Sequence, residues 1–157
     1  MTMKKTLKLL LCILTMLLIG GLAGFATSTS INGWYTSINK PSFNPPNYLF
    51  GPVWTTLYIL MGVSLYLILQ SESSELRKKA IAIFSIQLFL NFCWSFIFFN
   101  FQMLGLAFVE IILMWICILT TIVVFFKINK TAGLIQIPYL LWVSFASVLN
   151  GSIWYLN

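Results

Sequence analysis

Five unbroken apolar runs constrain this chain more than any other feature, because each is close to the twenty or so residues that carry an α-helix across a bilayer. They fall at about 7–27, 52–70, 80–101, 103–126 and 132–155. A helix on a soluble core is apolar along one stripe; these runs are apolar on every side. Lipid offers no hydrogen bonds, so only helices and closed barrels cross it. A barrel strand shows about ten residues of alternating polarity, which these runs do not. The fold class expected is an all-α integral membrane protein, a five-transmembrane-helix bundle. Only 8% of the residues are charged, against roughly 25% in a soluble domain.

The polar residues collect in the breaks. Residues 71–79 (SESSELRKK) and 127–130 (KINK) are short charged loops, 100–102 is a tight turn, and 28–51 is a long outer loop holding Pro41, Pro45 and Pro46. No linker or low-complexity segment divides the chain, so residues 1–157 are expected to form a single transmembrane domain. Lys4, Lys5, Lys8, Arg77, Lys78, Lys79, Lys127 and Lys130 all fall on one side of a five-helix topology, and Lys40 alone falls on the other. Basic residues are retained on the cytoplasmic side. The expectation is a multi-pass protein of the cell membrane with its N-terminus cytoplasmic and its C-terminus extracytoplasmic. The net charge of +6 is thereby a topology signal, and no nucleic-acid partner is expected.

The first run has a rival reading as a secretory signal peptide, with Lys4 and Lys5 as its basic region and Gly24-Phe25-Ala26 as a small-residue cleavage site. Its apolar stretch is nevertheless long enough to span, and removing it would leave four helices.

Much chemistry is missing. The chain has no histidine, the commonest general base and metal ligand. Cys12, Cys93 and Cys117 sit singly in different runs, in no metal-ligand or disulfide pattern, and read as packing residues. No phosphate loop or nucleophile elbow occurs. A hydrolase or an ATP-driven pump is not expected on those grounds, and neither is a metal or a fixed cofactor.

Aromatic residues are abundant instead: six Trp, six Tyr and fourteen Phe. Belts at the two membrane interfaces account for Tyr48, Trp154 and Tyr155. Trp94, Trp115 and Trp142 lie inside spans, where a buried indole N–H needs a partner. Asn91 and Trp94 share a face of the third helix, and Trp54 and Tyr58 share one of the second. In the fifth, Trp142, Phe145, Ala146, Leu149 and Asn150 form one stripe. Each pattern alone is also what ordinary helix–helix packing looks like. Three helices each presenting Trp beside Asn or Tyr, with no charge, point to a pocket for a flat apolar ligand. Glu110 is the single acid inside a span, where ionisable groups are by default functional. With no histidine and no second acid, it is read as a protonated structural group bonded to a neighbouring helix.

The sequence resembles a known family at this point. Trp34-Tyr35-x₄-Lys40-Pro41-Ser42-Phe43-x-Pro45-Pro46 followed by Phe50-x-Pro52-Val53-Trp54-x-x-Leu57-Tyr58 is similar to the signature of the translocator protein family. This is the TspO or tryptophan-rich sensory protein family, which includes the mitochondrial peripheral benzodiazepine receptor. Asn91-x-x-Trp94-Ser95-x-x-Phe98-Phe99 looks like its third-helix motif, and Pro138-Tyr139-x-x-Trp142-x-x-Phe145-Ala146-x-x-Leu149-Asn150 like its fifth. The likeness runs from about Ile31 to the C-terminus, and the chain looks like a bacterial member.

The resemblance implies a five-helix bundle that usually dimerises, so a homodimer is expected. It implies binding of tetrapyrroles such as protoporphyrin IX, and of benzodiazepine-site ligands, in a pocket among the helices under the first loop. Light-dependent porphyrin breakdown is a further implication, with Trp54 and Trp142 as the photochemical pair. The ligand-binding positions implied are Trp34, Lys40, Trp54, Tyr58, Asn91, Trp94, Trp142, Phe145, Ala146 and Asn150. Mitochondrial members add a cholesterol pattern of an apolar residue, Tyr and then Lys or Arg. Tyr155 is followed here by no basic residue, which counts against steroid handling.

Indole rings can stack on a porphyrin, the prolines stiffen the outer loop as a lid, and Lys40 is placed to meet an acidic edge. Without histidine, haem iron would need Cys, Met or Tyr as its axial ligand, so free-base porphyrin is expected to bind by stacking and shape, as ligand or substrate. Two readings follow: a membrane receptor or sensor for porphyrin or a similar apolar small molecule, or a transporter of such ligands.

Overall fold

A computed structural model describes residues 3–157, the side chains of Met3 and Thr29 excepted. It contains α-helices α1 (Met3–Ile31), α2 (Trp34–Ser37), α3 (Phe50–Gln70), α4 (Glu75–Ser95), α5 (Leu104–Ile128), α6 (Lys130–Ile135) and α7 (Ile137–Leu156), and no strand among the described residues. A 3₁₀ turn (Asn47–Leu49) leads into α3, and α4 winds on through a π-helical segment (Phe96–Asn100). Five segments are long and apolar enough to cross a membrane: Lys4–Ser28, Asn47–Gln70, Glu75–Asn100, Leu104–Ile128 and Lys130–Leu156. The protein is an all-α membrane protein.

The boundaries depart from the apolar runs for identifiable reasons. The helix of α1 continues past both ends of its run, because lysine and threonine do not stop a helix; Asn32 and Gly33 end it. Of the charged 71–79 loop only the first four residues lie outside a helix. The Ser74 hydroxyl accepts from the Arg77 amide at 3.1 Å and caps α4. The fifth run is not continuous: it breaks at Gln136 between α6 and α7. Pro138 has no N–H to donate to the Leu134 carbonyl, and that carbonyl accepts from the Gln136 amide instead.

Lipid tails are as apolar as leucine, so van der Waals fit and polar contacts hold such helices together. The half of the bundle where α1 starts and α3 ends shows close fit. A Cβ on Gly62 would stand 2.7 Å from the Ile13 Cα, so glycine lets α3 lie directly against the α1 backbone. Phe84 of α4 stacks on Phe125 of α5, with ring centroids 5.8 Å apart. Met61, Ile68, Ile111, Met114, Ile118 and Val143 are fully buried in the same continuous core. Ser64 reaches across to the Ala132 carbonyl at 2.8 Å, tying α3 to α6. Leu18, Phe25, Phe89 and Leu141 lie largely exposed, an arrangement that lipid tolerates and water does not.

Candidate functional site

In the half of the bundle where α1 ends and α3 begins, the outer half by the charge pattern alone, the helices part around a cavity of about 410 Å³. That is within the range of small-molecule sites. Its walls come from α1, α3, α4 and α7, and α2 with the π segment closes its upper end.

The floor is a hydrogen-bonded relay across three helices. The Tyr58 hydroxyl of α3 donates to Asn91 Oδ1 of α4 at 2.5 Å, and Asn91 Nδ2 donates to the Tyr139 hydroxyl of α7 at 2.8 Å. The Tyr139 hydroxyl lies 3.6 Å from Met114 Sδ. All three polar residues are buried. Trp54 sits above this floor, its ring 5.9 Å from Tyr58 and 6.2 Å from Tyr139.

A second link crosses higher up. Trp94 Nε1 donates to Asn150 Oδ1 at 3.1 Å, and Asn150 Nδ2 donates to the Leu104 carbonyl at 3.1 Å. Trp94 stacks on Phe98 with centroids 5.0 Å apart. Trp142 faces the cavity beside Phe50, and its indole N–H is buried without a hydrogen-bond partner among the described residues.

Seven of the ten residues expected to contact a ligand therefore come together on this one space: Trp54, Tyr58, Asn91, Trp94, Trp142, Ala146 and Asn150. Trp34, Lys40 and Phe145 are not among its described lining residues. Trp34 packs edge-on against Phe98. Phe145 turns out of the stripe toward Phe43 and a shallow groove between α3 and α7, because positions 142 and 145 stand about 60° apart around a helix of 3.6 residues per turn.

Lys40 braces the roof. Its ammonium donates to the Tyr35 carbonyl at 2.6 Å and the Ile38 carbonyl at 3.0 Å, and stands 5.0 Å over the Tyr35 ring. The Tyr35 hydroxyl donates to Asn44 Oδ1 at 2.7 Å. Burial pushes that hydroxyl up to about 12. The proton is then held more tightly in the folded state, so this contribution to stability is present below about pH 10 and is lost as pH rises toward 12. Lys40→Ala is expected to loosen the roof and weaken an acidic and an uncharged ligand of the cavity to the same extent, read as two dissociation constants. Selective loss of the acidic ligand would assign the ammonium to the ligand instead.

The hydrogen bond expected of Glu110 is not made. Both carboxyl oxygens are buried with no partner among the described residues. Glu110 lies six residues inside α5, and Trp94 and Asn150 lie six residues from the outer ends of their own segments. At that shared depth of about 9 Å, those two side chains are already bonded to each other.

The cavity also contains residues outside the ten expected to contact a ligand. On α1 they include Gly20, Gly21, Gly24 and Thr27, and elsewhere Tyr35, Phe50 and Phe99. A signal existed in α1, where small residues recur at spacings of three and four. Among the described residues no group of three His, Cys, Asp or Glu is placed to hold a metal ion.

This arrangement has relatives. The profile of the TspO/MBR family matches residues 11–156. The chain belongs to the TspO/MBR family. It is 42% identical over 156 residues to the tryptophan-rich protein TspO of Chlorobaculum tepidum, covering 98% of both chains. It is 44% identical to the protein of the same name from Archaeoglobus fulgidus, over 96% of this chain and 97% of that one. The human translocator protein is 36% identical over 77% of this chain and 73% of its own. The TspO/MBR match begins within α1, so it takes in the wall of the cavity that the motifs, starting at about Ile31, leave out.

Proposed function

We propose that this TspO/MBR member is a membrane receptor for flat apolar ligands with an acidic edge, tetrapyrroles such as protoporphyrin IX, and that benzodiazepine-site ligands occupy the same cavity. The single observation that carries the reading is the cavity itself: three indoles, Trp54, Trp94 and Trp142, border an uncharged space of ligand size. Aromatic faces favour stacked or edge-on partners with π-surfaces, and no cation or metal cluster among the described wall residues selects a smaller polar solute. Binding is favoured over carriage across the membrane by the floor. Among the described residues, the Tyr58–Asn91–Tyr139 relay and the buried cluster beneath it close the cavity on the side toward the start of α1.

The test is a titration of protoporphyrin IX against the tryptophan emission of the reconstituted protein, beside a flux assay in sealed vesicles. Saturable quenching without flux is expected. Flux at a rate matching occupancy would make the protein a transporter, and an absence of quenching would remove the porphyrin reading.

The same reading places the N-terminus in the cytoplasm, since eight of the nine basic residues lie at the end of the bundle where α1 starts. A reporter fused after Asn157 is expected on the outer face; a cytoplasmic reporter would reverse the orientation.

A further inference from the structure

We infer that the cavity exchanges its ligand directly with the outer leaflet of the bilayer, through a window between α1 and α3, rather than through the loop above it. The inference rests on the porphyrin reading and adds to it the route and the ligand's physical state, an amphiphile already dissolved in the membrane.

The two helices meet closely only in part of their length. At Gly62 the α3 backbone lies against Ile13, and at Gly20 an added Cβ would run into the Tyr58 ring. Where α1 ends and α3 begins, the space beside their glycines is open. A Cβ on Gly21, Gly24 or Gly51 would meet nothing within 4 Å. All three glycines line the cavity and are exposed, as is Thr55, one turn along α3 from Gly51. Residues that belong to both the cavity wall and the outer surface of the bundle define an opening.

The depth of that opening identifies what it faces. Gly24 lies four residues inside the span that ends at Ser28, and Gly51 four residues inside the span that begins at Asn47. At 1.5 Å per residue both are about 6 Å below the ends of their spans. An amphiphile with a flat apolar body and an acidic edge rests at this level, its body in hydrocarbon and its edge among the headgroups.

The roof, in contrast, is tied down. Asn157 Nδ2 donates to the Asn39 carbonyl at 2.9 Å and Asn157 Oδ1 accepts from the Asn39 amide at 2.9 Å. Asn39 Nδ2 donates to the Leu156 carbonyl at 3.2 Å. The outer loop is thus fastened to the end of α7, on top of the bracing by Lys40. Entry from above breaks these bonds, whereas entry from the side breaks none.

The test uses the full chain in vesicles whose bilayer already holds protoporphyrin IX, with association and dissociation followed by tryptophan quenching. Gly24→Phe puts a ring into the window. Both rates are expected to fall tenfold or more while their ratio changes less than threefold. Thr55→Phe, from the opposite rim, is expected to do the same and covers the case in which the α1 variant does not fold. Asn157→Ala unfastens the roof from α7 and is expected to leave the association rate within twofold. Wild-type rates in both phenylalanine variants, or faster entry in Asn157→Ala, would overturn the window. A porphyrin-free readout separates the two readings. Lipids brominated near the headgroup end of the acyl chain are expected to quench the part of the emission that Trp54→Phe removes, and Gly24→Phe should abolish that quenching. If this holds while protoporphyrin fails to bind, the porphyrin reading falls and the window stands. If Trp54 emission is insensitive to the brominated lipid, the window falls.

Discussion

Asn91→Leu is expected to lower the unfolding temperature of the protein sharply and to abolish saturable porphyrin quenching. Asn91 holds the cavity floor by accepting from Tyr58 and donating to Tyr139. Leucine is close in size but does neither. The Tyr58 hydroxyl then has no protein acceptor, and the Tyr139 hydroxyl loses its donor and keeps only Met114 Sδ as a weak acceptor. Each buried polar group left unpaired costs about 1–3 kcal/mol, so the two together amount to up to about 6 kcal/mol. Marginal stability makes that a large fraction of what holds a small domain together. Thermal unfolding in detergent, followed by circular dichroism, is the measurement. A rescue distinguishes lost pairing from poor fit. Adding Tyr58→Phe and Tyr139→Phe to Asn91→Leu removes the stranded hydroxyls and is expected to return most of the stability, because removing all partners together is nearly neutral. An unchanged transition in the single variant, or no recovery in the triple, would show that the relay does not hold the floor.

That role for Asn91 was only half legible in the sequence. An amide three residues from a tryptophan on an apolar helix marks an inward face, which is where both residues stand. The sequence does not say whether an inward amide meets a ligand or another side chain. The answer depends on which hydroxyls α3 and α7 bring to the same depth, and that is a matter of helix register between segments distant in the chain. Lys40 illustrates the same limit. Its position in the outer loop was readable, yet its ammonium turns back onto the Tyr35 and Ile38 carbonyls, since a loop closing over a cavity needs its backbone acceptors paired. Helix number was readable because the length of an apolar run maps directly onto bilayer thickness. The break at Gln136 was not read, although Pro138 announces it, because α6 and α7 together still make one apolar span. The α1 wall was missed for a related reason. Glycine contributes a cavity by the absence of a side chain, and an apolar run rich in glycine scores like any other.

The other large effect concerns the two indoles. Trp54→Ala/Trp142→Ala is expected to weaken protoporphyrin IX binding about a hundredfold. An aromatic pair contributes about 0.5–1.5 kcal/mol beyond the area it buries. Two lost contacts amount to as much as about 3 kcal/mol, and each 1.4 kcal/mol is a factor of ten in Kd. Phenylalanine at both positions keeps a ring against the ligand and is expected to restore affinity to within about tenfold of the native protein. The same Phe pair addresses the chemistry, because it removes the indoles' low oxidation potential while leaving the stacking surface. An excited porphyrin passes its energy to dioxygen without any donor from the protein, so bleaching needs no electron from an indole. The geometry gives neither indole a group that would manage an electron transfer: Trp54 rests on two neutral tyrosines, and the Trp142 N–H has no partner among the described residues. The expected result is therefore an unchanged bleaching rate in the Phe pair, at saturating porphyrin and fixed light. A bleaching rate that drops well below the native one at full occupancy would make the two tryptophans chemical participants and the protein an enzyme.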